Sequence, residues 1–254
     1  MIVILSPSKS LDFKSESFLN KHKLQEFLDK SYILVKEILY YSPSNLCELM
    51  NISNGFGELN YLRFQRWDKK HLPDNSKQAI FAFSGEVYNG FQANSLTKEQ
   101  ANFAQKTIRI LSGLYGILKP LDLLQPYRLE MGTSLAFEAY KNLYSFWNSD
   151  IKNSLNKELL DNNHAALINL ASNEYSKAAK LKNIEGKVIT PVFKELKGDT
   201  YKIITVYAKK ARGLMSRYIV DNKLEQPEDI KHFDMEGYAY TEHLSNENEW
   251  VFTR

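Results

Sequence analysis

Several short apolar runs in this chain end abruptly in small polar residues. Ile2-Val3-Ile4-Leu5 runs into Ser6-Pro7-Ser8-Lys9, Ile108-Arg109-Ile110-Leu111 into Ser112-Gly113, and Ala165–Leu170 into Ala171-Ser172-Asn173-Glu174. A short apolar run bounded by turn formers reads as a strand buried on both faces, and stretches of helical spacing lie between the runs. Interleaving of this kind favours a core of strands and helices over an all-helical one. It predicts an α/β (mixed α+β) protein with a central mixed sheet flanked by helices.

The remaining elements follow the same logic. A helix is predicted over about 21–41, where Leu24, Leu28, Ile33 and Ile38 fall among charged residues and Ser42-Pro43 ends it. Residues 79–83 read as a strand running into Ser84-Gly85, and Thr97 is a good N-cap for a helix to about Gln105. Val188–Phe193 and Tyr201–Tyr207 read as a strand pair joined through Lys197-Gly198-Asp199. A helix over 208–222 follows, Pro227-Glu228-Asp229 reads as a further helix start, and Glu249–Thr253 is a closing strand. No Gly/Ser/Pro-rich linker or repeat interrupts the 254 residues, so they are read as one domain, 1–254.

Composition narrows the function. A chain that is 43% hydrophobic and 25% charged folds. No stretch approaches the ~18 apolar residues of a membrane span, and the first apolar run is too short for a signal peptide, so a cytoplasmic protein with no membrane partner is expected. Cys47, the only cysteine, excludes an internal disulfide and a two-thiol redox cycle. The five histidines lack metal-ligand spacing, so neither a metal nor a cofactor is expected. The net charge of +3 is modest, but Lys194–Lys223 carries a local +5 and Leu224–Arg254 a local −6. Either these are solvated faces that attract each other, or the basic segment is held open for a polyanion.

Two sets of candidate residues emerge. In the predicted helix 208–222, Ala211, Leu214, Met215, Tyr218 and Ile219 share one face, while Lys209, Lys210, Arg212 and Arg217 spread over the other with Gly213 among them. A glycine on the cationic side suggests close approach by a phosphate backbone, and a following helix would make a helix-hairpin-helix-like element near the C-terminus. The second set is the polar loops after strands: Ser6, Ser84, Gly85, Ser112, Gly113, Gly116, Asn169 and Ser172. In open α/β sheets such loops converge on a ligand crevice. The Ser112–Gly116 turn could hold a phosphate. Lys9 and Arg128 could contact an anion, Arg128 being equally able to pair with Glu130. Ser6 and Lys9 have Ser-x-x-Lys spacing, so Ser6, Lys9 and Glu174 are the catalytic candidates if the chain is an enzyme.

The stretches Ser6-Pro7-Ser8-Lys9-Ser10-Leu11-Asp12, Gly85-Glu86-Val87-Tyr88, Leu111-Ser112-Gly113-Leu114-Tyr115-Gly116, Gln125-Pro126-Tyr127-Arg128-Leu129-Glu130-Met131-Gly132, Asn169-Leu170-Ala171-Ser172 and Tyr207–Arg217 together resemble the YaaA family of bacterial peroxide-stress proteins. The chain departs from the family's usual pattern at Ser8, often Ala, and Glu86, often Asp. The resemblance implies a cytoplasmic protein that binds DNA in a positively charged cleft, includes a helix-hairpin-helix element and limits iron-driven oxidative DNA damage.

Three readings stand side by side. The first is a binding protein for DNA, double-stranded and with little sequence preference, through Lys209, Lys210, Arg212 and Arg217 with Lys9 and Arg128. The second is an enzyme acting on a nucleotide or nucleobase in a pocket formed by the polar loops. The third is an interaction protein whose charges pair internally. The residues favour binding over catalysis, and the sequence specifies no oligomeric state.

Overall fold

The apolar runs do become the buried centre of a sheet. In a computed structural model describing residues 1–254, the main sheet contains, in chain order, β1 (Ile2–Leu5), β2 (Ile108–Ser112), β3 (Gly116–Leu118), β4 (Ala166–Leu170), β5 (Lys187–Lys197), β6 (Thr200–Lys202), β7 (Ala239–Tyr240) and β8 (Glu249–Thr253). Their spatial order is β7-β8-β5-β4-β1-β2-β3, with β6 paired to β5. Strands β2, β1, β4, β5 and β8 run parallel to their neighbours, while β3, β6 and β7 add antiparallel pairings. The parallel strands therefore lie in the order second, first, third, fourth, fifth along the chain, a doubly wound arrangement with its switch point beside the first strand. Every residue of β1, β2 and β4 is buried, as parallel strands covered on both faces must be.

The helices are α1 (Leu28–Ile38), α2 (Pro43–Met50), α3 (Asn54–Arg66), α4 (Glu86–Phe91), α5 (Lys98–Thr107), α6 (Asp150–Asp161), α7 (Asn173–Ala178) and α8 (Thr205–Asp221), with the short turn Leu143–Trp147 between α5 and α6. Local chemistry starts two of them. Thr97 and Gln100 form a reciprocal capping box at α5, and Ser42 does the same with Asn45 at α2, where Pro43 takes the first helical position. A single hydrophobic cluster of 66 residues, from Met1 to Phe252, joins sheet and helices.

One contact positions the site. Helices α4 and α8 cross backbone to backbone at Gly90 and Gly213. A Cβ on Gly213 would lie 1.8 Å from Val87 O, and one on Gly90 would lie 2.3 Å from Lys210 O. The close approach at Gly213 is thus made by α4 and not by a phosphate, which corrects the expectation drawn from its place among cations.

Other expectations change as well. The first long helix begins at Leu28 and not near 21, because Lys23 is drawn into backbone pairing with Leu121 and Leu123. Residues 79–82 form a helical turn whose first amides bond to Asp122 O and Pro120 O. A short, fully buried apolar run does not distinguish helix from strand. Only Thr200–Lys202 is strand in the second arm of the hairpin. Helix α8 already starts at Thr205, because Ala208 and Ala211 bury one continuous helical face despite the β-branched Thr205 and Val206. After α8, Pro227–His232 is a 3₁₀ segment, so no second helix completes a helix-hairpin-helix at the C-terminus.

Candidate functional site

The chain passes from β1 to β2 on one side and later reaches β4 on the other, so the switch point lies at β1 and β4. The register Leu5↔Leu170 ends these two strands at the same level, and their next residues meet. Ser172 N donates to Ser6 Oγ at 2.8 Å and Ser6 Oγ donates to Ser172 Oγ at 3.2 Å. Tyr88 OH, from α4, donates to Ser6 O at 3.0 Å. A crevice of about 480 Å³ opens over these groups, within the range of small-molecule sites. Its walls come from Ser6–Lys9, Gly85–Tyr88, Tyr127–Glu130, Ser172, Glu174 and Tyr175, and from Lys209 and Arg212 of α8. Gly85 makes the turn into α4 at φ 114°, a conformation in which a Cβ would lie 2.9 Å from Ser8 Oγ.

The charges in the crevice are unevenly matched. Lys9 Nζ lies 2.7 Å from one oxygen of Glu130 and Arg128 Nη2 lies 3.0 Å from the other, so one carboxylate serves two cations. Arg128 Nε is buried with no hydrogen-bond partner. Arg212 is opposed by no carboxylate, and burial alone pulls its pKa down. Lys209 is exposed at the rim. Arg63 is pulled down first by burial and then by repulsion from Arg128, so positive charge accumulates behind this wall. Glu174 is tied to the scaffold, its Oε1 accepting Gly132 N at 2.8 Å. Burial is the main force raising the pKa of Tyr88, Tyr127 and Tyr175, so all three line the crevice as neutral phenols. The lining sets two guanidiniums, two ammonium groups and several hydroxyls against the three carboxylates of Glu86, Glu130 and Glu174, which leaves a net positive charge in a partly desolvated space where charge-assisted hydrogen bonds are strong.

The structure brings together Ser6, Lys9, Gly85, Arg128, Ser172, Glu174, Lys209 and Arg212. It places the other predicted residues elsewhere. Ser112 Oγ bonds Tyr127 OH at 2.7 Å and accepts Tyr115 N at 2.9 Å in the core. Gly113 packs on Leu129 O, and Gly116, at φ 68°, packs on Trp147. The Ser112–Gly116 turn is therefore a buried connector between β2 and β3 and holds no phosphate. Asn169 shapes the end of β4 by accepting Ala171 N and donating to Thr190 Oγ1. Ser84 pairs in register with Ser10 and faces a separate depression with Asp12.

On α8 the cations divide. Lys210 is paired with Glu236 of the acidic segment, and Arg217 is held by Asp221 at 2.6 Å and by Gln92 O at 3.0 Å. Ser6 and Lys9 do not form a nucleophile and base pair, because Ser6 Oγ is engaged with Ser172 and Lys9 with Glu130. Among the lining residues, Tyr175 is signalled in the sequence only by its place just after a strand-end loop, whereas Tyr88 belongs to the Gly85–Tyr88 stretch that carries the family resemblance.

Fold and site together define a doubly wound α/β protein with a cationic crevice at its topological switch point. The chain belongs to the YaaA family: the family model described as "Peroxide stress protein YaaA" matches residues 1–244. It is similar to UPF0246 proteins of Colwellia psychrerythraea (48% identical) and Dechloromonas aromatica (47% identical). Each match spans 100% of this chain and 99% of the relative. A UPF0246 protein of Ralstonia nicotianae is 46% identical with the same coverage.

Proposed function

We propose that the protein binds DNA by admitting a phosphate-bearing nucleotide unit to the switch-point crevice, between Arg128 and Arg212, and that it thereby limits iron-driven oxidative damage during peroxide stress. One observation carries this reading: Arg212 lines the crevice partly buried and in no ion pair, while Lys9 and Arg128 beside it share the single carboxylate of Glu130. Cations of this kind read phosphate and not base, so little sequence preference follows. Binding to duplex phosphates displaces the cations condensed on them. Iron held in that atmosphere is displaced with the rest, which gives a physical route to protection.

The reading is tested by fluorescence anisotropy of a labelled duplex, competed with a nucleoside 5′-monophosphate or with the bare nucleoside. The monophosphate is expected to displace the duplex and the nucleoside is not. Full retention of the duplex at saturating monophosphate would refute it. A second reading, an enzyme acting on a nucleotide or nucleobase, is favoured by the Ser6–Ser172 hydroxyl pair and Glu174 lining the same nucleotide-sized space. Conversion of the competing nucleotide, followed by mass spectrometry, would select it.

A further inference from the structure

A line of aromatic side chains leads out of the crevice through the core to the surface. Tyr127, in the crevice wall, meets Tyr115 edge to face at 5.3 Å between centroids. Tyr115 OH receives Trp67 Nε1–H at 3.0 Å. Trp67 stacks on Tyr32 at 6.2 Å and 16°, and Tyr32 is 39% exposed. Each step is an aromatic contact or one hydrogen bond.

The hydrogen bonds at Tyr115 fix where its proton lies. Both Trp67 Nε1 and Gln125 N, 3.1 Å away, can only donate, so they occupy the two lone pairs of the phenol oxygen. The single Tyr115 proton then points at His71 Nε2, 3.0 Å away. His71 accepts there and carries its own proton on Nδ1, next to Lys69 O at 3.3 Å, while Gln125 Nε2, 3.4 Å from the same nitrogen, donates to Asp68 O at 2.6 Å instead. Burial pulls the His71 pKa down, which keeps the ring neutral and able to accept. A phenol oxidised by one electron becomes a strong acid. This one has a neutral base within proton-transfer distance.

We propose that Tyr127, Tyr115, Trp67 and Tyr32 form a hole-transfer chain that carries a one-electron oxidation from the crevice to the surface, with His71 holding the Tyr115 proton during transit. An oxidant of the hydroxyl-radical class takes an electron from Tyr127 and a proton from solvent and leaves as water. Tyr127, whose hydroxyl proton stays in its hydrogen bond with Ser112 Oγ, is restored by an electron from Tyr115, while the Tyr115 proton moves to His71 Nε2. Trp67 supplies the next electron and the proton returns to Tyr115. Tyr32 refills Trp67, sheds its proton to water, and is restored by a hydrogen atom from a low-molecular-weight thiol. The sum converts one hydroxyl radical and one thiol into water and a thiyl radical. The chain does not depend on what the crevice binds.

The test places a ruthenium photo-oxidant on Lys9→Cys in a Cys47→Ser background and maps spin-trap adducts by mass spectrometry after flash-quench oxidation. The intact chain gives an adduct at Tyr32, preceded by a tyrosyl absorption that rises more slowly in deuterium oxide. Tyr115→Phe abolishes the Tyr32 adduct. Should that variant fail to fold, Tyr32→Phe, which alters only a surface hydroxyl, moves the adduct to Trp67. A Tyr32 adduct undiminished in folded Tyr115→Phe, or no Trp67 adduct in Tyr32→Phe, overturns the proposal.

Discussion

Four cations on one helix meet different fates because of what each can reach. Lys210 and Arg217 find carboxylates, and Arg217 also bonds the carbonyls of Phe91 and Gln92 at the end of α4. Lys209 and Arg212 turn into the crevice. The sequence showed the charge but not the division, because Glu236 comes from a 3₁₀ turn whose position no periodicity reports. The same limit applies at Ser112 and Gly116: serine and glycine after a strand have one composition whether the turn is open to a phosphate or packed on a tryptophan.

A separate carboxylate carries a pH prediction. Asp122 is buried, which pushes its pKa up to about 6 from 3.8 despite the Lys119 amide and the nearby Lys119 and Arg109 charges. The folded protein holds this proton more tightly than the unfolded chain, so its contribution is most favourable below the unfolded value and is lost as pH rises toward about 6. Asp122→Asn is expected to stabilise the protein at neutral pH by roughly 3 kcal/mol at most, and to give no gain near the pKa of a free carboxylate. Urea denaturation at the two pH values checks this. An equal effect at both would show that the charge carries no cost.

At the scale of elements, the α4–α8 crossing holds Lys209 and Arg212 against the strand ends. Neither Gly90 nor Gly213 has a side chain across from it that could yield, since the opposing atoms are backbone. Gly213→Ala is therefore expected to force the helices apart and cost about 3 kcal/mol. Gly55 in α3 has nothing within 4 Å of a Cβ, so Gly55→Ala is expected to be neutral or to gain up to about 1 kcal/mol. Denaturant midpoints of the two variants give the comparison, and equal midpoints would contradict it. Element type was legible where periodicity was long or a cap was present, as in α5 and α8. It was not legible for residues 79–82, whose helical turn is set by bonds to Pro120 O and Asp122 O far along the chain.

At the scale of the whole molecule, strand order decides where function can sit. The apolar runs at β1, β2 and β4 could be read from sequence, and so could the polar loops that follow them. Their convergence could not, because it depends on β4 lying across β1 from β2. That order brings Ser6 and Ser172 together and leaves Ser112 in the core. The central claim is that the crevice cations, and not the charge of α8 as a whole, engage phosphate. Its most direct test is the salt dependence of duplex affinity. Neutralising Lys209 and Arg212 together to Gln should flatten the log–log slope by about 1.8, at about 0.9 per lost contact, while Lys210→Gln leaves it unchanged. A slope that does not move when Lys209 and Arg212 are lost, or that moves as much with Lys210→Gln as with either of them singly, would contradict the account.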